Sequence, residues 1–143
     1  MKLTKRGCLL SGCLTPILAI AFSIIISSLI PSAARKALPS SARNIQEHYI
    51  GGFHPDFVRL LKAELPEEDL STYLSNLNLT VKYDPEIHSK IKSTINIRYG
   101  DAPNWWDEPH SLDQCYFDYT QGDEYLKRVK WKNGWVYFSV TSW

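Results

Sequence analysis

The stretch Asp-Ala-Pro-Asn-Trp-Trp-Asp-Glu-Pro-His, residues 101–110, concentrates groups able to do chemistry. Paired carboxylates divide acid and base roles when their environments separate their pKa values, so Asp107 and Glu108 suit a hydrolase. His110 and Cys115 are a base and a nucleophile by type, but no family signature surrounds them. Trp105 and Trp106 offer binding instead. In extended backbone their rings point to opposite sides, so one can enter the core while the other faces solvent. An exposed ring beside Asp101, Asp107 and Glu108 suits a sugar or a cationic group, the face stacking and the carboxylates accepting hydrogen bonds. The competing reading is structural: both rings plug an open end of a sheet and the prolines stiffen the loop.

A second candidate surface follows from Asn133-Gly134. This pair is the strongest short hairpin signal, because both turn residues accept positive φ. A two-residue turn sets Lys132 against Trp135, Trp131 against Val136, Lys130 against Tyr137 and Val129 against Phe138. One face then carries Val129, Trp131, Val136, Phe138 and Val140, the core face. The other carries Arg128, Lys130, Lys132, Trp135 and Tyr137. It is expected to be solvated, with Lys132–Trp135 and Lys130–Tyr137 cation–π pairs and a basic-aromatic patch for an acidic partner or a lipid headgroup. The candidate binding residues are therefore Trp105, Trp106, Asp107, Glu108, Lys130, Lys132 and Trp135.

Other chemistries find no pattern. There is no HExxH, CxxC, GxGxxG or P-loop, and His48, His54, His88 and His110 are scattered, so no metal or organic cofactor is expected. Residues 44–143 hold ten basic and fifteen acidic side chains, a net of −5, which argues against nucleic acid as a partner. Cys8 and Cys13 precede that region, and Cys115 is its one cysteine, so it holds no internal disulfide.

The elements that must position these groups begin after a very different segment. No charged residue lies from Gly7 to Ala34. Leu9–Ile30, about 33 Å as a helix, matches a hydrocarbon core of about 30 Å. The basic start (Lys2, Lys5, Arg6) and Ser32-Ala33-Ala34 also resemble a signal peptide, but the apolar run exceeds the usual signal length, which favours an uncleaved anchor. Three basic residues flank each side, so charge does not settle orientation. The short tail favours a cytoplasmic N-terminus and an extracytoplasmic domain. The expected organisation is a tail (1–8), a transmembrane helix (9–30), a linker (31–43) and a globular domain (44–143).

Within that domain, Asn44–Ile50 reads as a strand, as does Phe57–Leu65. Pro66–Leu77 reads as a helix. It opens with proline and three acids, and Leu70, Tyr73, Leu74 and Leu77 form one apolar face. Glu86–Lys92 suggests a short helix, Ile95–Tyr99 a strand, and Cys115–Tyr119 a strand beside the hairpin. The expected fold is α+β: an N-terminal transmembrane helix, then an antiparallel sheet with one main amphipathic helix.

The anchor, SAR after a proline-containing linker, the PEE helix start, DAPNWWDEP, CYFDY and the KNGWVYF hairpin together resemble small bacterial single-pass membrane-anchored proteins of no assigned function. The resemblance spans most of residues 40–143 and implies a bacterial envelope setting, without implying any chemistry. The functional expectation is a membrane-anchored module, non-enzymatic, binding a protein, a glycan or another envelope component. The alternatives are an envelope hydrolase using the loop carboxylates and a structural subunit of a membrane complex.

Overall fold

The computed structural model describes residues 31–51, 57–120 and 125–142. The expected tail and transmembrane helix over 1–30 lie outside them, as do His54 and Trp143. Among the described residues no helix is long and apolar enough to cross a membrane. Residues Ala33–Trp143 form one compact unit.

The unit is α+β. Six antiparallel strands, β1 (Arg43–Gly51), β2 (Phe57–Glu64), β3 (Val81–Lys82), β4 (Cys115–Thr120), β5 (Tyr125–Lys132) and β6 (Trp135–Ser142), lie in the order β1-β2-β6-β5-β4-β3. The β5–β6 hairpin has the expected register, with Lys132 opposite Trp135 and Val129 opposite Phe138. Asn133 and Gly134 both take positive φ, 53° and 82°, as the tight turn demands. β4 pairs with β5, again as expected.

One sheet face is the expected core. Leu61, Ala63, Val129, Val136, Phe138 and Val140 pack under Leu70, Tyr73, Leu74 and Leu77. Three of those four come from helix α2 (Glu67–Asn76), and Leu77 is its C-cap. Pro66 sits at the N-cap and not, as expected, at the first helical position, which Glu67 takes. Trp131 closes this face by donating its indole N–H to the Leu65 carbonyl at 3.1 Å. The stretch read as a linker contributes too: α1 (Ala33–Ala37) buries Ala34, and Leu38 and Ala42 pack against the same core.

The opposite face is not solvated. The long connection 83–114 crosses it and builds a second core from Tyr83, Ile95, Leu112, Cys115, Phe117 and Leu126. Loops of this length without their own sheet are uncommon in compact domains. This one contains only a 3₁₀ turn (Ser89–Ile91) and a single helical turn, α3 (Lys92–Ile95). The expected strand at Ile95–Tyr99 does not form. Ile95 is fully buried, and the carbonyls of Ile95 and Ile97 accept hydrogen bonds from the Arg128 guanidinium. Acceptors that a neighbouring strand would have satisfied are taken by a side chain.

Candidate functional site

The sheet face under the connection carries three cations on the two strands that flank β6: Lys62 on β2, and Arg128 and Lys130 on β5. All three are buried, Arg128 with 0% and Lys130 with 2% of its surface exposed. A buried charge is tolerated only if it is paired and hydrogen-bonded. The stretch 95–109 supplies those partners, in two separate knots.

In the inner knot Arg128 uses its whole guanidinium fork. Nε donates to Ser139 Oγ at 2.9 Å, Nη1 to the Ile95 carbonyl, and Nη2 to the Ile97 carbonyl at 3.0 Å and to Glu108 Oε2 at 2.7 Å. The Tyr99 ring lies 5.4 Å from the guanidinium carbon, and the Tyr99 hydroxyl is 2.8 Å from Thr141 Oγ1. Lys130 Nζ donates to Asn96 Oδ1 and to the Pro109 carbonyl, both at 3.0 Å, and is 3.3 Å from Glu108 Oε1. That last contact is an ion pair without hydrogen-bond geometry, so Glu108 Oε1 is buried with no hydrogen-bond partner among the described residues. Burial lowers the Lys130 pKa; attraction to Glu108 opposes this, and the neighbouring Arg128 charge adds to it.

The outer knot centres on Lys62. Its ammonium donates to Asp107 Oδ1 at 2.5 Å and to the Trp105 carbonyl at 3.3 Å, and lies 4.5 Å from the Trp135 ring centre and 5.5 Å from that of Tyr137. Tyr137 also donates to Asp107 Oδ1 at 3.2 Å. Desolvation alone would raise the Asp107 pKa. The hydrogen bond from Lys62, with its charge and the Tyr137 hydroxyl, holds it below the ordinary carboxylate value. Burial first, then Asp107, pushes the Tyr137 phenol upward. Trp106 packs edge-to-face on Tyr137 at 5.7 Å, and Trp105 edge-to-face on Trp106 at 6.0 Å. Both indoles are half-buried, as is Trp135.

The seven candidate residues therefore divide. Trp105, Trp106, Asp107 and Trp135 come together around Lys62. Glu108 and Lys130 lie in the inner knot, Lys130 buried and the Glu108 side chain only 10% exposed. Lys132 is exposed at the hairpin end and belongs to neither. The expected Lys132–Trp135 and Lys130–Tyr137 cation–π pairs do not form; Lys62, one strand over, takes both rings. The basic patch expected on this face is replaced by an internal charge network, because the connection brings two carboxylates and several carbonyls down onto it. Lys62 was the missed residue. Its signal was a lysine set between Leu61 and Ala63, inside the apolar run of the strand.

Catalytic arrangements fare poorly in this geometry. Glu108 directs its two oxygens at two cations, and Asp107 is engaged by Lys62 and Tyr137, so the two acids do not face one substrate. Cys115 is fully buried, and burial pushes its thiol up to about 11, against weaker downward pulls from Lys130 and Arg128. His110 is exposed, with Nε2 3.4 Å from Arg98 Nη2. Among the described residues no three His, Cys, Asp or Glu side chains gather as a metal site.

The end of the connection borders a cleft of about 510 Å³, walled by Tyr83, Lys92, Asn96, His110, Ser111 and Asp113 among others. No protein-family model matches this chain, and no curated protein or solved structure matches it.

Proposed function

We propose that the chain is a membrane-anchored, extracytoplasmic binding module without catalytic activity, tethered through residues 9–30. Its recognition surface is the indole patch of Trp105, Trp106 and Trp135, and its ligand is a glycan of the envelope. The observation that carries this reading is a chain of three half-buried tryptophans about one buried ammonium: Lys62 lies on the Trp135 ring and donates to the Trp105 carbonyl, and Trp106 packs on Trp105 and Tyr137. The cation slot over Trp135 is already filled by Lys62 at 4.5 Å, which disfavours a cationic ligand and leaves the patch to a neutral ring. Asp107, whose side chain is 66% exposed, keeps an oxygen at the rim for hydroxyl groups. The hydrogen bonds that position the acids also occupy them, which supports binding over hydrolysis.

The test is titration of the full chain in detergent with a soluble peptidoglycan digest, followed by tryptophan fluorescence. Trp105→Ala is expected to weaken binding by about 2 kcal/mol, roughly thirtyfold, at unchanged melting temperature. Equal affinity in Trp105→Ala and Trp135→Ala would overturn the assignment. Extraction of the chain from membranes by alkaline carbonate would overturn the anchor.

A further inference from the structure

We infer that the cleft between the start of the connection, α3 and the segment 110–113 is a second, independent binding site, for a small anionic ligand bearing a carboxylate or a phosphate. Its volume, about 510 Å³, lies within the range of small-molecule sites, about 300–1,000 Å³. The wall comes from three separate stretches of chain, each fixed from behind. Tyr83 N–H donates to the Cys115 carbonyl at 2.8 Å, Asn96 Oδ1 is held by Lys130 at 3.0 Å, and Cys115 N–H donates to the Leu112 carbonyl at 3.2 Å.

The charge of the ligand follows from which wall groups are already spent. Asp113, the wall's carboxylate, accepts the Ser111 hydroxyl at 2.6 Å, and its own N–H returns to Ser111 Oγ at 3.2 Å, which ties the acid to its own turn. The donors are unspent. The Lys92 ammonium is exposed, with no hydrogen bond or ion pair among the described residues. Asn96 gives its carbonyl to Lys130, which leaves its amide N–H groups. A guanidinium can only donate, so the 3.4 Å approach of Arg98 makes His110 Nε2 the acceptor and leaves Nδ1–H as the ring's donor. Unspent donors around the Lys92 ammonium, with the one acid of the wall tied back to Ser111, match an anion carried on a polar body.

The test is isothermal titration of the full chain in neutral detergent with glucose 6-phosphate, glucuronate, inorganic phosphate and glucose. Binding of either charged sugar over glucose is expected. Preference for glucose 6-phosphate or inorganic phosphate assigns a phosphate group, and preference for glucuronate a carboxylate. Lys92→Gln and His110→Gln, both at exposed positions, should each weaken that binding about tenfold, the loss of one charge-assisted hydrogen bond. Trp105→Ala should bind these acids like the wild type, so this site and the indole patch fail or stand separately. Heats no larger than with glucose, or affinity unchanged in both Lys92→Gln and His110→Gln, would overturn the inference.

Discussion

Glu108 Oε2 sits 2.7 Å from Arg128 Nη2, joining an acid from a loop bounded by prolines to a guanidinium that has no exposed surface. This contact pins the connection to the sheet. Breaking one side of a buried ion pair leaves the other side uncompensated, typically at about 3–5 kcal/mol. Glu108→Gln keeps the shape but leaves Arg128 and Lys130 facing each other across a neutral group. It should lower stability by about 3 kcal/mol in chemical denaturation. The Lys130→Met, Glu108→Gln double variant should lose less than the two single losses combined, because Met removes one of the two stranded charges. Additive losses would show that Glu108 stabilises Arg128 alone.

Asp107 is the contrasting case. Its bond to Lys62 is short, but its side chain is largely in water while only Lys62 is buried, so the pair falls between exposed pairs, at about 0–1 kcal/mol, and fully buried ones. Asp107→Asn should therefore cost less than Glu108→Gln, although the two acids are sequence neighbours. The pH dependence has a definite sign. The folded pKa of Asp107 lies below the unfolded value of 3.8, so its contribution is fully present above pH 3.8 and fades as pH falls through the lower folded value. Wild type should lose stability in that acid window, and Asp107→Asn should lose less of it. Parallel pH–stability curves for the two proteins would contradict this.

The hairpin and the helix face were legible because each rests on a local rule. Asn133-Gly134 sets its own register, and Leu70, Tyr73, Leu74 and Leu77 share a face at helical spacing. The second face was not legible, because its environment is made by a segment distant in sequence. Alternation on β5 says only that Arg128, Lys130 and Lys132 share a side, not whether water or protein meets it. Ile95–Tyr99 alternated like a strand for a related reason: Ile95 enters the second core while the carbonyls of Ile95 and Ile97 turn toward Arg128. The two tryptophans of the opening stretch were ambiguous between a plug and an exposed ring, and the geometry leaves both half-buried. Trp106 packs on Tyr137, and Trp105 rests on Trp106 with surface to spare.

Gly134 offers a clean measure of the turn. Its φ is 82°, and a Cβ built there would meet nothing within 4 Å. Any loss in Gly134→Ala is then conformational, not steric contact with a neighbour. A left-handed non-glycine residue costs roughly 1–2 kcal/mol. The variant should melt several degrees lower, with the native spectrum retained. Asn133→Gly should be near neutral by comparison, since Asn tolerates positive φ. An unchanged melting temperature in Gly134→Ala would mean that the turn has relaxed to another type.

Cys115 reports on the second core as a whole. Its thiol is fully buried and pushed up to about 11, chiefly by desolvation, while the unfolded thiol ionises near 9.0. The folded state therefore holds the proton longer, so stability is lost as pH rises from about 9 to about 11. The phenols of Tyr125 and Tyr137, also raised by burial, act in the same direction, and Lys130, with its lowered pKa, opposes them. In a Cys8→Ser, Cys13→Ser background, a disulfide reagent at pH 8 should modify Cys115 only through opening of the structure. Its rate should then rise with denaturant along with loss of the native fold. Glu108→Gln, by loosening the connection over this core, should raise the rate in buffer alone. Fast labelling of the folded wild type, insensitive to denaturant and to Glu108→Gln, would show that the connection does not seal this face.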